Sequence, residues 1–255
     1  MGTFIIENSG NSYIMSILMA LFFEPTKLDN ILDKPVSNTL NIYFRECIKT
    51  IILSIRNGKS ILQNDISIIN MICNHLGWKS DEEHINNFYS FLIKELEIEQ
   101  IELKIKNDQH DYKIETHSFI QLSFSGYDTH VNTSTLLNEW LNNSCYINNI
   151  PYLIGLSINR SSDDVHVIIQ KRISSNIKDI INNIKWKFHS AICHKGNEKY
   201  YSLLSSKDKW YIFDDSDVPC LCEIKMDDPH ITKKLKLECV FIIYKLPNPD
   251  FKLAT

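Results

Sequence analysis

The chain has 255 residues, 44% hydrophobic and 11% aromatic, enough to bury the core of one large or two small domains. Its formal net charge of -4 supplies no overall basic field, so nucleic acid is not the leading partner unless a local basic patch provides one. Seven cysteines (Cys47, Cys73, Cys145, Cys193, Cys220, Cys222, Cys239) are odd in number, irregularly spaced and without a CxxC. That pattern argues against a disulfide framework and a paired-cysteine zinc site, and for reduced, intracellular thiols.

The opening "MGTFIIENSG" lacks a basic n-region and a long apolar core, so it does not read as a secretory signal. Ile6 stands where a myristoylation signal has Ser or Thr. The apolar run "YIMSILMALFF" is too short to span a bilayer, and the expectation is a soluble protein without a membrane partner.

Asn11 or Ser12 can cap a first helix, with Ile14, Ile17, Leu18 and Leu21 on one face and an end before Pro25. Tyr43, Phe44, Cys47, Ile48, Ile51, Ile52 and Ile55 mark a second helix closing at Gly58, and Ile66 to Leu76 a third closing at Gly77. "SDEE" from Ser80 supplies a capping box for a fourth, buried through Ile85, Phe88, Leu92 and Leu96. From "IELKIK" (Ile101 to Lys106) the apolar period becomes two. Strand-like runs follow at "HSFIQLSF", "YLIGLSINR", "VHVIIQKR", "FHSAICH", "KYYSLLSS", "KWYIFDD" and "CVFIIYKL". "SNIKDIINNIKW" reads as a short helix or a loop. The basic "KKLK" from Lys233 reads as a solvated loop or an edge-strand guard. No repeat or Gly/Ser linker divides the chain, so the expected fold class is α+β in a single domain over 1–255. Residues 1–100 form a helical lobe in that reading and 101–255 a strand-rich, mostly antiparallel lobe.

The segments "NSGNSYIMSILMAL", "INNFYSFLIKELE", "IPYLIGLSINR", "KFHSAICHKGNEKYYSLL", "WYIFDDSDV" and "ECVFIIYKL", taken together in this order, resemble motifs of the ubiquitin-specific proteases. "NSGNSYIMSILMAL" resembles their cysteine box, approximately NxGNTCYMNSxLQAL, and "INNFYSFLIKELE" the helix that follows. "IPYLIGLSINR" is similar to their strand of type LPPVLVLHLKRF. "KFHSAICHKGNEKYYSLL" and "WYIFDDSDV" are similar to the histidine box and the WxxFDDxxV after it, and "ECVFIIYKL" to the closing strand. The resemblance spans nearly the whole chain and implies a papain-like fold. The zinc-supported fingers would be reduced or absent, since no CxxC pairs lie in the middle of the chain and it is shorter than is usual for the family.

The resemblance also implies a chemistry. A cysteine at a helix N-terminus is activated by a histidine, which a carboxylate or carboxamide orients, and an upstream asparagine stabilises the oxyanion. The departures fall at those reacting positions. Aligned from the helix side, the cysteine column holds Ser12; aligned from "NSGNS", the cysteine is deleted, Tyr13 takes its place and Asn8 falls on the oxyanion asparagine. Lys199 stands in the column of the catalytic histidine, while His194 matches another histidine of that box. Asp214 matches the third triad position, with Asp215 beside it; without an imidazole the pair reads better as a turn.

The first expectation is therefore a pseudoenzyme with no catalytic residues, cofactor or metal, acting as a protein-interaction or scaffold subunit. A reader or decoy for ubiquitin or a ubiquitin-like protein is the alternative. An active hydrolase using Ser12 and Lys199 as a dyad is third, and requires a desolvated lysine. Heavy use of Ile and Asn with few Gly and Pro suggests an AT-rich genome, and the variant "GNSYIMSILMALF" is similar to cysteine boxes of large cytoplasmic DNA viruses, with a protist as the other source. That resemblance implies a location in the host cytoplasm or virion.

Overall fold

A computed structural model describes residues 12–58, 63–79, 85–106, 111–123, 130–141, 145–159, 166–175, 184–196, 199–217 and 219–247. In chain order the helical part is α1 (Ser12–Phe22), α2 (Asp29–Leu32), α3 (Thr39–Arg56), α4 (Gln63–His75) and α5 (Ile85–Glu95). Then come β1 (Ile101–Lys106), β2 (Tyr112–His117), β3 (Ile120–Ser123), β4 (His130–Asn132), α6 (Thr133–Trp140) and β5 (Cys145–Ile147). After them follow β6 (Leu153–Asn159), β7 (His166–Ile168), β8 (Arg172–Ser175), β9 (Ile184–His194), β10 (Tyr200–Ser206) and β11 (Lys209–Phe213). The chain closes with β12 (Leu221–Ile224), α7 (Pro229–Glu238) and β13 (Cys239–Lys245). The molecule is α+β, with mostly antiparallel strand pairing.

Two compact units divide the chain, and the division does not follow sequence order. One comprises Met1–Ile98 and Ser190–Pro229, the other Glu99–His189 and His230–Thr255. In the first unit, α1 is buried at all eleven positions, beyond the single apolar face expected of it, because Met15, Met19 and Phe22 extend the apolar surface and Ser12 and Ser16 are small enough to be enclosed. Asn38 caps α3 by accepting a hydrogen bond from the Leu40 amide at 2.9 Å, and the helix stops where Gly58 adopts a φ of +68°, which a side chain would resist. Gly77, at φ +97°, turns the chain after α4. Arg45 of α3 is 2% exposed, and its guanidinium donates to the Ile31 carbonyl at 2.6 Å and the Lys34 carbonyl at 3.3 Å. These bonds satisfy part of a charge whose burial would otherwise be costly. The end of β9 then pairs with β10, β10 with β11 and β11 with β12, each antiparallel.

The second unit pairs β13 antiparallel and β3 parallel with β6, and β8 antiparallel with the start of β9. A three-stranded sheet has the order β2-β1-β5, and β4 pairs in parallel with β7. Trp186 is fully buried and donates through Nε1 to the Pro151 carbonyl at 3.0 Å, so its one polar atom is satisfied. The "KKLK" segment is not a loop or an edge-strand guard. It lies within α7, where Pro229 takes the first helical position, which needs no N–H donor, and Leu235 is buried at 2% exposure. The run of lysines had hidden a helix with a single buried anchor. "SDEE" and most of "SNIKDIINNIKW" lie outside the described residues.

Candidate functional site

Three hydroxyl hydrogen bonds fix the first unit's central helix against its strands. Ser12, the first residue of α1, is 6% exposed and its Oγ accepts from the Tyr200 amide at 3.2 Å. One turn on, the Ser16 carbonyl accepts from Ser202 Oγ at 2.7 Å; one turn further, the Ala20 carbonyl accepts from Ser190 Oγ at 2.7 Å. Positions 12, 16 and 20 share a helix face, and 200 and 202 share a strand face, so the periods of 3.6 and 2 meet along one seam. Ser190 and Ser202 are each no more than 1% exposed, and the seam gives both hydroxyls an acceptor. The start of α1 thus lies beside the first residue of β10, immediately after Lys199.

Tyr13 faces elsewhere. At 2% exposure, its hydroxyl accepts from Trp78 Nε1 at 3.2 Å and its ring meets Phe88 edge-on, with centroids 5.3 Å apart. Of the two residues that could occupy the cysteine column, Ser12 reaches β10 and Tyr13 packs among the aromatic side chains of the helical part. Asn8 lies outside the described residues.

Lys199 is exposed. Its carbonyl accepts from the Lys195 amide at 2.8 Å and its amide donates to the Gly196 carbonyl at 3.1 Å, which ties Lys199 back to Lys195 and to Gly196 at φ +86°. Asp214, 4% exposed, is held by a different lysine. Lys195 Nζ donates to its Oδ2 at 2.6 Å, while the Ser216 hydroxyl and amide donate to Oδ1 at 2.6 and 3.0 Å. Burial pushes the Asp214 carboxyl up, but the hydrogen bonds from Lys195 and Ser216 and the lysine charge outweigh it and hold the group below its ordinary range. Neighbouring Asp215 is pushed up to about 6, first by burial and then by the charge of Asp214; Lys199 and Lys195 only partly oppose this. His194 sets its ring 4.9 Å from that of Tyr200, at the pairing position opposite it.

The arrangement can hold a carboxylate ionised beside an ammonium. Lys195 and Ser216 account for the hydrogen bonds of Asp214 among the described residues, so its carboxylate orients no imidazole there. Lys199 lacks the desolvation that a lysine base for Ser12 would need. Nor is any group of three or more His, Cys, Asp or Glu among the described residues placed to hold a metal ion.

No protein-family model and no curated protein matches the chain. Solved structures do. The SAGA DUB module of Ubp8 with Sgf11, Sus1 and Sgf73 aligns at a TM-score of 0.70 and 12% identity, covering 95% of this chain and 68% of the matched one. A second structure of the Ubp8-Sgf11-Sgf73-Sus1 module gives 0.66 and 14%, covering 97% and 68%. The yeast module with a variant Sgf73 gives 0.69 and 13%, covering 97% and 69%. The chain has a ubiquitin-specific-protease-like fold. At such identities the likeness extends to the fold alone.

Within this ubiquitin-specific-protease-like fold, four structurally decisive residues escaped sequence reasoning: Lys195, Ser216, Ser190 and Ser202. Ser216 left a signal, because an Asp followed two residues later by Ser is a common side-chain-closed turn. Lys195 left only its place before a glycine. Nothing in the sequence distinguishes the seam serines from ordinary strand residues.

Proposed function

We propose that this protein is a catalytically inactive relative of the deubiquitinases that serves as a protein-interaction or scaffold subunit. The observation that carries the reading is Asp214: at the position of the third triad member, its carboxylate is neutralised by Lys195 and closed by Ser216. Ser12 is an alcohol where the resemblance calls for a thiol, and Lys199, the lysine a Ser/Lys dyad would require, is exposed. Without an activated nucleophile, what remains of the fold is its surfaces. The Ubp8 structures, each a complex with Sgf11, Sus1 and Sgf73, support protein partners as a class. The host cytoplasm or a virion is the proposed setting.

The test is a titration with ubiquitin by calorimetry, run beside turnover of a fluorogenic ubiquitin conjugate. The scaffold reading expects no turnover and no saturable ubiquitin binding up to about millimolar, weaker than about -4 kcal/mol. Turnover abolished by Ser12→Ala would overturn the inactive assignment. Saturable binding without turnover would move the role from scaffold to reader.

A further inference from the structure

We propose that the groove between α3 and α4 is a docking surface for a basic amphipathic helix of a protein partner. The groove has a volume of about 160 Å³; Tyr43, Cys47, Thr50 and Ile51 of α3 and Ile68 of α4 line it. That volume is below the roughly 300–1,000 Å³ usual for small-molecule sites and suits one inserted aliphatic or aromatic side chain. Two lining residues, Tyr43 and Ile68, are exposed apolar side chains, and the same two helices carry others. Tyr43 is 61% exposed, Leu53 46%, Ile68 42% and Met71 54%. Of the eight large apolar side chains exposed among the described residues, five, these four and Ile42, lie on α3 and α4.

The chemistry of the occupant follows from the backbone and the charges. Within α3 and α4 the main chain is hydrogen-bonded along each helix, so there is no open strand edge and a partner must bind through side chains. The lining on α3 runs from Tyr43 to Ile51, about 12 Å or roughly two helical turns, a length that the side chains of one partner helix can match. Glu46 and Asp65 place two carboxylates on the lining. The nearby ammonium of Lys49 is engaged by Asp33. Burial, then the charges of Asp65 and Glu46, raise the Cys47 thiol pKa, consistent with a negative field in the groove. An apolar floor with carboxylates complements a helix bearing one large apolar anchor flanked by Lys or Arg.

The test uses the full chain, isotope-labelled for NMR, with two synthetic helical peptides of roughly 14 residues, one of Leu and Lys and one of Leu and Glu. The expected result is saturable binding of the Leu/Lys peptide, with shifts confined to α3 and α4. Reversing Glu46→Lys and Asp65→Lys together should weaken it at least tenfold and favour the Leu/Glu peptide. Reversing exposed Glu99→Lys and Asp227→Lys instead changes net charge equally and should leave affinity within twofold. Equal loss in both double variants, or shifts spread over other elements, would overturn the proposal as non-specific charge attraction. No binding of the Leu/Lys peptide would also overturn it. So would a concentration-dependent dimer in sedimentation that Ile68→Asp dissolves, because the groove would then belong to a second copy of the chain.

Discussion

Asp215→Asn should stabilise the protein at pH 8 and change little at pH 4. The Asp215 carboxyl is raised from 3.8 to about 6, by burial first and the Asp214 charge second. An acid raised in the folded state binds its proton more tightly there than in the unfolded chain. Its contribution to stability is therefore complete below about 4 and is lost as pH rises through about 6. At ~1.36 kcal/mol per pKa unit the shift, in which the opposing lysine charges are already included, sets a ceiling of about 3 kcal/mol; partial exposure brings the expected gain from the amide to about 1–2 kcal/mol. For a chain of this size that corresponds to a melting temperature about 3–6 °C higher at pH 8. Thermal unfolding of both proteins by circular dichroism at pH 4, 5, 6 and 8 reads the difference directly. A difference constant across pH, or a variant less stable than wild type at pH 8, would refute the electrostatic account of the Asp pair.

Lys195→Met removes the ammonium from buried Asp214 and should cost about 2–4 kcal/mol at pH 7 in urea unfolding, because an uncompensated carboxylate remains. Asp214 is an acid with a lowered pKa, so its stabilisation is present above about 4 and lost as pH falls through the folded value; the cost of Lys195→Met should shrink in acid accordingly. Ser202→Ala should cost about 1 kcal/mol by the same measurement, since the Ser16 carbonyl loses a donor but keeps its place in α1. Tyr13→Phe leaves Trp78 Nε1 without that acceptor and should cost about 1–2 kcal/mol; a neutral result would mean that another group or water takes the bond.

The helical part was legible because its signals are local. Gly58 and Gly77 stand just beyond α3 and α4, and the stripe Ile85, Phe88, Leu92 marks α5. The strands β6, β9, β10, β11 and β13 were legible as apolar runs. Short elements were not. α2 has four residues and α6 eight, too few for a period to emerge, and α7 buries only Leu235 among charges. Asn132, which caps α6 by accepting from the Ser134 amide, was the available clue.

The candidate site divides in the same way. The sequence alone determined which residue types stand at Ser12, Tyr13, Lys199 and Asp214, none of them a thiol or an imidazole. It could not choose between Ser12 and Tyr13, because both registers satisfy the same apolar helix pattern. Tertiary structure gives the two residues different surroundings, turning Tyr13 onto Trp78 and Phe88 and leaving Ser12 beside Tyr200. It also decided that Lys195, not Lys199, meets Asp214. The hydrogen bonds tying Lys199 back to Lys195 and Gly196 and the register of β9, β10 and β11 bring residues nineteen apart within 2.6 Å, and one sequence encodes such a meeting only through the whole fold.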